Sequence, residues 1–226
     1  MLPLSKLPSA IILDWDNTLI DSWECIQKAF NETLKAMGHQ LWTVDQMRTD
    51  IRYSLRDRFP LLFGPHWLVA QQIYYQIYEE CSVDMIKPLA GAEGMLHTLA
   101  QTSIYLCVVS NKKGDVLRKE AAYLGWTHWF GQLIGAGDAK SDKPSVGPVN
   151  LALEPLLLRA GMFDPQEVWF VGDTGIDMEC AHAAGCLPVL IGSCADESLE
   201  IYPPSIHVSD CYALAALVDS VQSKPF

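Results

Sequence analysis

The sequence predicts an α/β fold, a doubly wound parallel sheet with an inserted all-helical unit, on three observations. Short apolar runs alternate with helix-length stretches over most of the chain. Between Asp21 and Pro88 the alternation lapses, and apolar residues follow helical spacing instead. Polar residues close the apolar runs one after another, at the sheet edge where open α/β folds bind their ligands.

The first strand is Ala10–Leu13, continuously apolar and therefore suited to burial on both faces. Further such strands are predicted at 104–109, 132–134 and 168–171. A fifth, at 187–191, contains Pro188, which suits an edge or a strand start. Helices are predicted between them at 91–101, 115–124, 148–160 and 176–184. Within the insert, Cys25, Ile26, Ala29, Phe30, Thr33, Leu34 and Met37 trace one helical face that Gly38 ends. Two more helices are expected there, at 45–58 and 67–81. The expected division is a core of residues 1–21 and 88–226, with a helical unit of 22–87 between them.

Composition narrows the function. Half the residues are apolar, yet no apolar run reaches the ~20 residues needed to span a bilayer, so no membrane partner is expected. Asp14 and Asp16 interrupt the N-terminal apolar stretch before a signal-peptide core forms. The seven cysteines are odd in number and scattered without zinc-type pairing, which fits reduced thiols and a cytoplasmic location. A net charge of -11 argues against nucleic acid as a partner. A small phosphorylated metabolite remains compatible, because a lysine and a divalent cation can reverse the field locally.

Candidate chemistry gathers at the strand ends. Asp14 and Asp16 sit at alternate positions after the first strand, so both can face beyond the sheet edge. The second strand closes in Ser110 and Asn111, and the fourth in Gly172 and Asp173. The third is followed by a loop carrying Lys143-Pro144. A phosphomonoester brought to such aspartates is repelled by roughly 4 kcal/mol per unit-charge pair near 4 Å, at an effective dielectric of 20. Mg²⁺, which prefers oxygen ligands, offsets most of this, and Lys143 adds a further positive charge. Ser110 can donate to a phosphoryl oxygen, and Asn111 beside it is a second phosphate-binding candidate. In Gly172-Asp173-Thr174-Gly175-Ile176-Asp177, the four-residue interval can hold both acids near a metal as a helix begins.

Four motifs in order carry a resemblance. Asp14-Trp15-Asp16-Asn17-Thr18, Ser110, Lys143 and Gly172-Asp173…Asp177 resemble the motifs of haloacid dehalogenase superfamily hydrolases, with phosphoglycolate phosphatase-like members closest in kind. The resemblance implies a Rossmann-like core with a helical cap over the site. It implies that Asp14 attacks phosphorus to form an aspartyl phosphate, while Asp16 acts as general acid and then general base. It implies Mg²⁺ held by Asp14, the Asp16 backbone carbonyl and Asp173, with Asp177 either a direct ligand or a support. The second aspartate of the pair is a mark of the superfamily's phosphatases rather than its dehalogenases. Trp15 and Asn17 stand where Phe and Gly are commoner; Trp15 is expected to point into the core, and Asn17 to sit in the loop near the phosphate.

Competing readings stand beside these. Lys140 rivals Lys143 in the same loop, and Asp177 also fits a first-turn helix acid. The arginines Arg48, Arg52, Arg56 and Arg58 fit a solvated basic face; alternatively Arg56 or Arg52 reaches a substrate carboxylate, which a guanidinium fork suits. For the whole chain, the alternatives to a phosphatase are a phosphomutase using the same acids and a phospho-accepting receiver-type signalling protein.

Overall fold

The computed structural model describes residues 6–44, 46–47, 53–194 and 196–223. Six strands form one sheet in the spatial order β5-β4-β1-β6-β7-β8, every neighbouring pair parallel. They are β1 (Ala10–Leu13), β4 (Tyr105–Lys113), β5 (Gln132–Ala136), β6 (Val168–Gly172), β7 (Leu187–Ile191) and β8 (Ile206–Val208). The chain builds outward from β1 to β4 and β5, then returns to lay β6 on the other flank. Strand β1 therefore lies at the switch point, with Leu13 in register with Val108 on one side and Val171 on the other.

Helices cover both faces, and strand alternation assigns each side chain to a layer. Ile11 and Leu13 pack with α4 (Ala92–Ala100), α5 (Gly114–Tyr123) and α8 (Cys211–Gln222). Ala10 and Ile12 face the opposite way, onto α6 (Gly147–Ala160) and α7 (Gly175–Ala183). Strand β1 is completely buried, which explains its lack of any polar residue.

A separate two-stranded ribbon pairs β2 (Ile20–Asp21) antiparallel with β3 (Lys87–Pro88). Between them lie α1 (Trp23–Ala36), α2 (Leu55–Phe63) and α3 (Trp67–Met85), with their own apolar cluster around Phe30, Phe59, Tyr74 and Tyr78. Of the helix expected at 45–58, Val44, Gln46 and Met47 are helical, 45 and 48–52 lie outside the described residues, and α2 runs on from Leu55 behind Ser54, whose hydroxyl donates to the Asp57 carboxylate at 3.1 Å. That Ser-x-x-Asp pattern is a helix start, and Leu55, Phe59 and Phe63 at four-residue spacing supply the buried face. Pro188 stands at the start of its strand, but β7 is interior because β8 pairs outside it. The three-residue β8 carries an exposed histidine at its centre and offers no apolar run to detect.

Candidate active site

Three carboxylates predicted from two separate stretches meet at the carboxyl end of the sheet. Asp14 follows β1, Asp173 follows β6, and Asp177 lies in the first turn of α7; one oxygen from each lies within 4.8 Å of the other two. Lys143 reaches in from the loop after β5 and sets its Nζ 2.6 Å from both Asp14 Oδ1 and Asp177 Oδ1. It is the buried lysine of its loop, whereas Lys140 is exposed.

The electrostatics are those of an acidic site short of positive charge. Burial pushes the Asp14 carboxyl up to about 6; Lys143 opposes that rise and Asp177 adds to it. Asp173 is raised well above its usual range, first by burial and then by the Asp177 and Asp14 charges. Burial works against the Lys143 ammonium, but Asp14 and Asp177 outweigh it and hold the lysine protonated. An all-oxygen set of closely spaced acids, two of them protonated too readily, fits a hard divalent cation.

The remaining predicted residues fall into distinct places. Asp177 has both oxygens engaged: Oδ1 takes Lys143, and Oδ2 accepts from the Thr174 backbone N–H and hydroxyl at 3.0 and 2.7 Å in a capping box. This arrangement orients Lys143 and opens α7, which favours the supporting role over direct ligation. Ser110 is buried in the cleft beside Asp14. The Asn111 side chain clamps the Lys143 main chain, accepting from its N–H at 3.0 Å and donating to its carbonyl at 3.2 Å. It therefore places the lysine, and any phosphate contact from this position falls to other atoms of the residue. Asp16 points its carboxylate toward the Ser22 hydroxyl and Lys112 Nζ rather than to the other acids. Asn17 takes φ 58°, the left-handed conformation that the commoner glycine adopts freely and asparagine tolerates best among other residues.

Of the arginines singled out, Arg56 has a protein partner. Its Nε and Nη2 bond both oxygens of buried Asp142 at 3.1 and 2.6 Å, so its fork fastens the inserted helices to the loop that carries Lys143. Arg48 and Arg52 lie outside the described residues.

Sequence reasoning missed a second buried polar group. Lys112 pairs with Asp16 at 2.7 Å and with both oxygens of Glu120 at 2.9 and 2.7 Å. Glu120 in turn accepts from Trp15 Nε1 at 2.7 Å and from the Tyr78 hydroxyl at 3.0 Å. A signal existed: Glu120 falls at helical spacing from Val116 and Leu117, on the face of α5 that the fold buries. Trp15 points into the core as expected, completely buried, edge-on to Trp126.

A cleft of about 1230 Å³ lies over these residues, bounded on the core side by the acids and on the other by Trp23, Ile26, Tyr74 and Tyr75 of the inserted helices. An acid cluster with a buried lysine, at the switch point of a doubly wound sheet and roofed by helices, is an arrangement suited to binding a phosphoryl group. A family model for haloacid dehalogenase-like hydrolases matches residues 11–191, and the chain belongs to that family. Phosphoglycolate phosphatase of Xylella fastidiosa is 30% identical over 185 residues, covering 80% of this chain and 79% of that protein. The Aquifex aeolicus phosphoglycolate phosphatase is 29% identical over 183 residues, covering 77% and 80%. Among solved structures, a hydrolase of the same superfamily from Ehrlichia chaffeensis aligns over 96% of this chain and 99% of its own, with 30% identity and a TM-score of 0.65. The chain is accordingly a phosphatase, a phosphoric monoester hydrolase. No described helix is long and apolar enough to cross a membrane.

Proposed function

We propose that the protein hydrolyses a small phosphorylated metabolite, phosphoglycolate being the first substrate to test, through an aspartyl phosphate on Asp14 with Mg²⁺ as its cofactor. The observation that carries this reading is the convergence of Asp14, Asp173 and Asp177 at one sheet edge, with Lys143 bonded to the first and last of them. Asp14, Asp173 and the Asp16 backbone carbonyl would hold the cation, Asp177 supporting them. When bound, the cation screens the acids from the substrate's charge and polarises a phosphoryl oxygen.

The protein's own groups supply the steps. A carboxylate oxygen of Asp14 bonds to phosphorus as the ester P–O bond breaks, and Asp16 gives its proton to the departing alkoxide. Asp16 then takes a proton from water, whose oxygen attacks the phosphoryl group, breaks its bond to Asp14 and releases inorganic phosphate. Lys143 neutralises equatorial oxygens, and Ser110 donates a hydrogen bond to one of them. Residues 22–87 act as the cap that closes the cleft and excludes bulk water.

The test is phosphate release from a panel of phosphomonoesters with Mg²⁺, together with borohydride trapping of the acyl phosphate and mass mapping. Sustained turnover with label on Asp14 supports the reading. A single stalled turnover would indicate a mutase, and turnover by Asp14→Asn would refute the covalent route.

A further inference from the structure

Glu120 is a carboxylate with only 4% of its side chain exposed, in the middle of a helix, outside the cluster of Asp14, Asp173 and Asp177. Burying such a charge is costly unless it is paired and hydrogen-bonded. Its partners come from three other parts of the chain: Trp15 from the loop after β1, Lys112 from β4, and Tyr78 from α3 of the inserted helices. The Lys112 ammonium, 5% exposed, bridges Glu120 to Asp16 and also donates to the Tyr78 hydroxyl at 2.6 Å. Its Nζ lies 4.9 Å from the centre of the Tyr78 ring, and that ring stacks on Tyr74 at 5.8 Å.

We propose that Lys112, anchored by Glu120 and by the Tyr78 hydroxyl of the inserted helices, is a positioning residue that aims the Asp16 carboxyl at the leaving-group oxygen and ties that aim to the seating of the cap. This inference rests on the acid role of Asp16 given above. Among the described residues Asp16 has two side-chain partners, Ser22 from its own strand-to-helix turn and Lys112 from the core. Ser22 begins the inserted helices and Tyr78 lies near their end, so both chain segments that move with the cap touch the same acid–lysine pair. Withdrawing the helices takes the Tyr78 hydroxyl from Lys112 and Glu120 together. Proton donation is then efficient only with the cap seated, when the reacting centre is covered.

A positioning role has a signature that general damage lacks. Help from an acid matters for an alkoxide leaving group and hardly for 2,4-dinitrophenolate, which departs without a proton. The comparison is kcat/KM, which reports the steps through phosphoryl transfer to Asp14, for phosphoglycolate and for 2,4-dinitrophenyl phosphate. For Lys112→Met we expect a loss of about 10- to 100-fold on the alkyl ester and less than about threefold on the aryl ester, a fraction of the ~10²–10⁴ worth of a general acid. Tyr78→Phe removes one hydroxyl without opening a void, and remains informative where the lysine variant fails to fold; we expect the same selectivity with a loss of about three- to tenfold. Equal losses on both esters, or no loss, in both variants would overturn the proposal while leaving the aspartyl-phosphate route intact. Asp16→Asn run alongside must show the same leaving-group dependence; its absence would overturn the acid assignment and this inference together.

Discussion

Asp14 carries the clearest conflict between stability and chemistry. Its carboxyl is raised from 3.8 to about 6, chiefly by burial, so between those values the folded chain holds a proton that the unfolded chain has released. Stability of the metal-free protein therefore falls as pH rises from about 4 to 6, and the contribution is absent below both values. Asp14→Asn removes that fall. In chelator at pH 7 it should melt above the wild type, the difference vanishing near pH 4, while turnover is abolished; a scan of melting temperature against pH checks both parts. At Asn17, φ 58° makes glycine an acceptable substitute: Asn17→Gly should keep kcat within about threefold. Asn17→Val forces a β-branched side chain into the left-handed region and should cost about 1–2 kcal/mol in urea unfolding.

At the scale of elements, the fastening of Arg56 to Asp142 separates two roles for one residue. Arg56→Ala takes the guanidinium from a buried carboxylate that also accepts from the Gly137 N–H at 3.0 Å. Because the arginine is 35% exposed, the expected loss is modest, about 1–2 kcal/mol of stability. Competitive inhibition by inorganic phosphate should be unchanged, since no part of the phosphate site is removed. The contrast also marks what was legible beforehand. Strands β1, β4, β5, β6 and β7 could be read because burial on both faces demands largely apolar runs, and the acids could be read because Asp14 and Asp173 close such runs and Asp16 and Asp177 follow them at short, regular spacing. The partners of Arg56 and Lys112 could not, since pairing across 86 positions, or between a strand and a helix eight residues on, leaves no local pattern. The start of α2 at Leu55 is marked by Ser54 and Asp57, a signal that the charged run of Arg52, Arg56 and Arg58 obscures in the sequence.

For the molecule as a whole, the proposed occupation of the acid cluster by a cation would couple binding to folding. At a Mg²⁺ concentration one hundred times the dissociation constant, the gain is about 2.7 kcal/mol. Melting temperature should therefore climb with Mg²⁺ in the wild type, and much less in Asp173→Asn; calorimetric titration of the two proteins supplies the affinities independently. Equal responses would remove Asp173 from the cation's ligands. The ribbon of Ile20–Asp21 against Lys87–Pro88 bears on the molecule's history as well as its motion. The polypeptide departs from the sheet and rejoins it side by side, so the ends to be joined are already adjacent whatever is looped out between them. A different roof could be grafted at that junction without redrawing the path of any strand beneath, leaving selectivity free to diversify over an unchanged catalytic floor.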